Sequence, residues 1–107
     1  MKFAAVVLPL VPAALAAECV RDSGCAGCGQ VASVSYVQNG NIFTATAPSY
    51  GSVTFDAKTI TVKNTSNKWL LFCNWGSACF PLEAGQTCTT SRQSSDSTSL
   101  GLQVSSK

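Results

Sequence analysis

The stretch Val31-Ala32-Ser33-Val34-Ser35-Tyr36-Val37-Gln38-Asn39-Gly40-Asn41-Ile42-Phe43-Thr44-Ala45-Thr46 decides the fold. Asn39-Gly40 sits between two runs rich in β-branched and aromatic residues, and Asn-Gly in that setting is the strongest short-range hairpin signal. Residues 31–37 read as one strand with Ala32, Val34 and Tyr36 on a common face, and residues 42–46 as its return. Further along, Pro48-Ser49-Tyr50-Gly51 reads as a loop. Residues 52–55 and 59–63 alternate apolar and polar side chains around an Asp56-Ala57-Lys58 turn, the pattern of strands buried on one face. Lys68-Trp69-Leu70-Leu71-Phe72-Cys73 is an apolar run suited to a central strand covered on both sides, which places Trp69 in the core. Residues 87–90 and 100–104 are short strand candidates, and the polar run 90–99 reads as a mobile loop. No helical period shows in residues 18–107. The expectation is an all-β domain, a small disulfide-stabilised antiparallel sandwich or barrel.

Upstream of that domain, Met1-Lys2 gives a positive start, residues 3–15 are apolar, and Ala14-Leu15-Ala16-Ala17 supplies small residues for cleavage. This is the layout of a secretory signal peptide over residues 1–17. A membrane helix wants roughly 20 apolar residues, and Pro9 and Pro12 interrupt this run, so no membrane span is expected. A single domain over residues 18–107 remains, secreted and extracellular.

Composition removes several functions. The chain of 107 residues has no His, so a Ser-His-Asp triad, a Cys-His nucleophile pair and imidazole metal ligands are excluded. Its formal net charge of +2 lacks the basic stripe of a nucleic-acid binder. The carboxylates Glu18, Asp22, Asp56, Glu83 and Asp96 read as solvated surface charges that nothing pairs, and a nucleophilic serine has no base beside it. The expectation is a monomeric protein that is not an enzyme and holds no cofactor or metal.

The six cysteines fall in two clusters, Cys19, Cys25 and Cys28, then Cys73, Cys79 and Cys88. An even count in an exported chain reads as three disulfides. Three cysteines per cluster cannot all pair internally, so at least one bridge must stitch the N-terminal arm to the C-terminal half. Cys25-Ala26-Gly27-Cys28 has the spacing of a redox motif, but no strand precedes it and no helix follows, so a structural bridge is the better reading. Asn64-Thr65-Ser66 is a glycosylation sequon, with Asn64 as acceptor in a surface loop.

The sharpest local feature is Cys73-Asn74-Trp75-Gly76-Ser77-Ala78-Cys79, followed by Phe80-Pro81-Leu82. A bridge between Cys73 and Cys79 would close a tight loop with Trp75 near its tip, and a pre-ordered loop presenting an aromatic is what a contact surface needs. Trp75 folded back onto the core is the competing reading. Trp75, Asn74, Phe80 and Leu82 are the expected partner-binding residues.

The leader, the six cysteines, the β-rich middle and the Ser/Thr-rich surface together resemble fungal small secreted cysteine-rich proteins of the effector type. That resemblance covers the whole chain and is one of architecture. It implies action outside the producing cell, on a host extracellular protein such as an apoplastic protease. A glycan-binding module using Tyr36, Tyr50, Trp69 or Trp75 as stacking platforms is the first alternative. An antimicrobial or toxin-like protein is the second, weakened by the missing basic face.

Overall fold

The fold is described here from a computed structural model, which covers residues 17–22, 24–75 and 77–107. The signal peptide expected over residues 1–17 lies outside the described residues except for Ala17. Ten strands follow in order: β1 (Ala17–Glu18), β2 (Gly29–Val34), β3 (Val37–Asn39), β4 (Ile42–Ala47), β5 (Gly51–Phe55), β6 (Thr59–Asn64), β7 (Leu70–Asn74), β8 (Ala78–Leu82), β9 (Thr87–Ser91) and β10 (Leu102–Ser106). They build a six-stranded sheet in the order β1-β9-β6-β5-β4-β3 and a four-stranded sheet in the order β2-β10-β7-β8. All pairings are antiparallel except β1 with β9. The described residues contain no helix. The expected all-β, disulfide-stabilised architecture is present, and it is a sandwich, because neither sheet closes on itself.

Alternation along the strands makes the core. On the larger sheet, register aligns Ala45, Val53, Val62 and Cys88 in one row across four strands. On the smaller sheet, Ala32, Val104, Phe72 and Phe80 form the facing row. Val53, Val62, Val104, Phe72 and Phe80 are fully buried. Burying such side chains contributes about 1.5–3 kcal/mol each, relative to leaving them exposed. The even-numbered residues of β7 face this core, while Leu71 on its outer face is also buried, as expected of a strand covered on both sides.

Two strand readings change. The run 31–37 is not one strand: β2 belongs to the smaller sheet, the chain crosses over at Ser35-Tyr36, and β3 joins the larger sheet. Tyr36 at the crossing packs its ring edge-on against Phe55, with centroids 5.5 Å apart. A sheet switch leaves the alternation pattern intact, which is why the sequence reads straight through it. Trp69 is the second change. It lies just before β7 and is half-buried, outside the core, with Lys107 Nζ 4.5 Å from its ring centroid.

A hairpin forms at Asn39-Gly40, with its two-residue turn one position further along than that dipeptide predicts. Asn39 pairs with Ile42, so the turn residues are Gly40 and Asn41. Gly40 has φ +63°, and Asn41 is not in the positive-φ region. Positive φ at the first turn residue alone is the type II′ pattern. Replacing Gly40 by Val should lower stability by about 1–2 kcal/mol, the cost of a left-handed backbone for an L side chain. The added Cβ would meet nothing within 4 Å, so the loss reports the turn alone. An unchanged melting midpoint would refute the assignment.

The turn between β5 and β6 also falls as expected. The Asp56 carboxylate accepts hydrogen bonds from the Lys58 and Thr59 amides at 2.8 and 2.7 Å and from the Thr59 hydroxyl at 2.9 Å. The Lys58 and Thr59 amides, with the Thr59 hydroxyl, hold the Asp56 carboxyl below the usual carboxylate range.

A cleft under the N-terminal arm as candidate functional site

The cysteines pair as Cys19–Cys88, Cys25–Cys28 and Cys73–Cys79. The one bridge that joins the two clusters is Cys19–Cys88, spanning 69 positions. It begins a series of attachments that carry the N-terminal arm from β9 of the larger sheet to the β8 edge of the smaller one. Arg21 comes next. Its guanidinium forks onto Asp96, with Nη1 donating to Oδ1 at 2.9 Å and Nη2 to Oδ2 at 2.8 Å. Nη2 also donates to the Ser91 carbonyl at 3.1 Å, and the guanidinium lies 5.4 Å from the Phe80 ring centroid. The third attachment is backbone: Asp22 N–H donates to the Cys79 carbonyl at 2.8 Å, and Cys79 N–H donates back at 3.1 Å. That exchange occupies part of the otherwise open edge of β8.

Asp96 is therefore not a solvated surface charge. Its side chain is 1% exposed, and it also accepts the Gln93 amide at 2.8 Å. The run 90–99, expected to be a mobile loop, starts as the end of β9 and is pinned through this carboxylate. The Arg21 fork, then the Gln93 amide, hold the Asp96 carboxyl below its ordinary value, against the opposing effect of burial. A carboxylate whose folded pKa is depressed stabilises the fold above its unfolded pKa, near about 3.9, and loses that contribution as pH falls through the folded value. Stability should therefore decline below about pH 4. Asp96→Asn should cost about 2 kcal/mol at neutral pH, the partly exposed Arg21 tempering the loss, and should flatten the acid decline. An acid profile identical to wild type would exclude Asp96 as its source.

Between the pinned arm and the outer face of β7 and β8 lies a cleft of ≈450 Å³. Two disulfides line it, Cys25–Cys28 from the arm and Cys73–Cys79 from the hairpin, together with Leu71, Asp22 and Trp75. Cys73 and Cys79 face each other across the β7–β8 pairing, so the bridge staples the base of the turn that carries Trp75. The Asn74 carbonyl accepts the Ser77 amide at 2.9 Å, and the Trp75 amide donates to the Gly101 carbonyl at 3.0 Å. Gly76 lies outside the described residues. Trp75 is 49% exposed. The exposed aromatic on a stapled turn is thus present, and the core placement of Trp75 is not.

The other three expected contact residues go inward. Phe80 is fully buried and Leu82 nearly so, because β8 pairs in register with β7 and puts Phe80 beside Phe72 and Leu82 beside Leu70. Asn74 is buried in the inner row with Leu102, and its Nδ2 donates to Ser77 Oγ at 2.7 Å. It supports the turn from beneath and presents nothing to a partner.

Asn64, the expected glycan acceptor, is 2% exposed. Its Nδ2 donates to the Lys68 and Leu82 carbonyls at 2.9 and 3.0 Å, and its Oδ1 accepts from the Ser66 amide and hydroxyl at 2.9 and 2.7 Å. The nitrogen that would carry the sugar is committed to joining the two sheets, and the sequon's Ser66 closes an Asx turn. This arrangement leaves no room for a glycan at Nδ2.

Of the aromatics considered as sugar platforms, Tyr36 and Tyr50 pack against the core cluster, Trp69 lies under Lys107, and Trp75 alone lines the cleft. No group of three metal-ligating side chains occurs among the described residues. No described helix is long and apolar enough to cross a membrane. Composition and motifs did not single out Arg21, which pins the arm to Asp96, and read Asp22, which lines the cleft, as a surface charge alone. Comparison with protein-family models, with curated proteins and with solved structures returns no match.

Proposed function

We propose that this chain is a secreted binding protein that acts by contact on an extracellular host protein, as an effector or protease inhibitor does, with Trp75 as its anchor. The observation that carries this reading is the half-exposed Trp75 ring on a disulfide-stapled turn at the cleft of ≈450 Å³. Contact energy concentrates in a few large side chains on backbone already ordered before association. Trp75 meets both conditions, its amide tied to Gly101 and its turn to Ser77. The pairing of all six cysteines supports an extracellular site of action.

The immobilised wild-type domain should capture a protein from host extracellular fluid, and Trp75→Ala should weaken that capture by about 2 kcal/mol, roughly thirtyfold. The ring is outside the core, so circular dichroism and the melting midpoint should stay close to wild type. Equal capture by Trp75→Ala, or loss of fold in that variant, would overturn the reading.

A further inference from the structure

We propose that the Cys25–Cys28 disulfide is a thiol–disulfide exchange site, which oxidises a polypeptide carrying two cysteine thiols by passing its disulfide to it. This goes beyond the contact reading, since it needs no lasting complex. The three bridges differ in access. Cys19 and Cys88 are buried, at 7% and 1% exposure, and out of reach of an incoming thiol. Cys73 and Cys79 are half-buried but sit in register on β7 and β8, where the pairing of the two strands holds the sulfurs together. Cys25 and Cys28 are also half-buried, yet they lie on the arm ahead of β2, outside both sheets. The Cys28 amide donates to the Cys25 carbonyl at 3.3 Å across the turn between them. A Cβ built on Gly24, Gly27 or Gly29 would meet nothing within 4 Å, so space is open on both sides of the bridge. Accessible disulfides are the ones that exchange. Because this bridge spans only 3 positions, opening it leaves both sheets and the other bridges in place, and the domain can react without unfolding.

The second observation is the cleft itself. Cys25 and Cys28 line it together with Leu71 and Trp75. Those two apolar side chains offer contact to the residues flanking an incoming cysteine, which holds its thiol beside the bridge. Cys25 Sγ lies 3.6 Å from the Ala26 carbonyl oxygen, whose partial negative charge disfavours a thiolate there. Cys28 is therefore the better leaving sulfur, and Cys25 is the one attacked. The substrate thiolate forms a bond to Cys25 Sγ, the Cys25–Cys28 bond breaks, and Cys28 leaves as a thiolate that takes up a proton. The substrate's second thiolate then attacks the substrate sulfur of the mixed disulfide. The bond to Cys25 breaks, and Cys25 takes up a proton in turn. The substrate gives up two electrons and two protons, and the Cys25–Cys28 pair gains them.

The test uses the oxidised domain and the blocked dithiol peptide Leu-Cys-Gly-Gly-Cys-Leu, with acid quenching, alkylation and mass mapping. Cys25 and Cys28 should become alkylated as an equal amount of peptide closes its own disulfide, with the circular dichroism unchanged. A single-thiol version of the peptide, with serine for its second cysteine, should stop at a mixed disulfide on Cys25 with Cys28 alkylated. The dithiol peptide should react about tenfold or more faster with the domain than with a synthetic peptide of residues 22–30 closed by the same bridge, whereas 2-mercaptoethanol should show no such preference. Labelling of Cys73 and Cys79 first, labelling only as the fold is lost, or equal rates for the domain and the excised loop would overturn the exchange site. A mixed disulfide on Cys28 would overturn the choice of Cys25 as the attacked sulfur.

Discussion

Gly51→Ala should abolish or nearly abolish folding. Gly51 opens β5 and pairs with Ala47 on one side and Asn64 on the other. Its φ is +155°, and a Cβ built there would collide with the Lys63 carbonyl oxygen and press on Phe72 Cζ at 2.9 Å. Neither obstacle can move cheaply. The carbonyl belongs to β6, and Phe72 lies in the centre of the core with 0% exposure. Effects of about 4 kcal/mol or more come from mechanisms of this kind, and small domains have only about 5–15 kcal/mol in total. The expected result is a melting midpoint lower by about 16 °C or more, or no soluble protein. A loss no larger than that of Gly40→Val would show that β5 and β6 can separate without cost, against the register described here.

The Cys19–Cys88 bridge should be worth about twice the Cys25–Cys28 bridge. It closes a loop spanning 69 positions, whereas Cys25–Cys28 spans 3. By the chain-entropy relation the long loop stabilises by about 4 kcal/mol and the short one by about 2 kcal/mol. Removing Cys19 and Cys88 together also leaves small cavities, since both are buried. The paired Cys19→Ala/Cys88→Ala variant should therefore melt well below the Cys25→Ala/Cys28→Ala variant in urea or heat. It should also release the arm, so that the Arg21–Asp96 pair loosens and the acid dependence weakens. Equal losses from the two variants would mean that the arm is held by its ion pair and backbone bonds alone.

Much of the architecture was readable from local pattern. Alternation marked β5 and β6, an unbroken apolar run marked β7, and Asn39-Gly40 marked the hairpin, because each signal is contained in neighbouring residues. Parity alone required a bridge between the two cysteine clusters. The burial of Phe80 and Leu82 was also within reach. Once Cys73 is bridged to Cys79 across a hairpin, register sets Phe72 against Phe80 and Leu70 against Leu82.

Other features have no local signal. The sheet switch at Ser35-Tyr36 preserves alternation and so is silent in the sequence. Asn64 reads as a sequon because its triplet is local, whereas Leu82, which accepts its amide from 18 positions away, is not. Asp96 reads as a loop charge until Arg21, 75 positions earlier, is folded onto it. Charges and amides declare their partners only in three dimensions, since what satisfies them is distance and angle. Trp75 could be read either way from its neighbours, and exposure was decided by the sheet that turns Asn74 inward and leaves the next residue outside. The sequence by itself determined β4 to β7, the existence of the hairpin and the need for a long-range bridge. Tertiary structure decided which face each side chain meets, and it alone brought Asp22, two disulfides and Trp75 around one cleft.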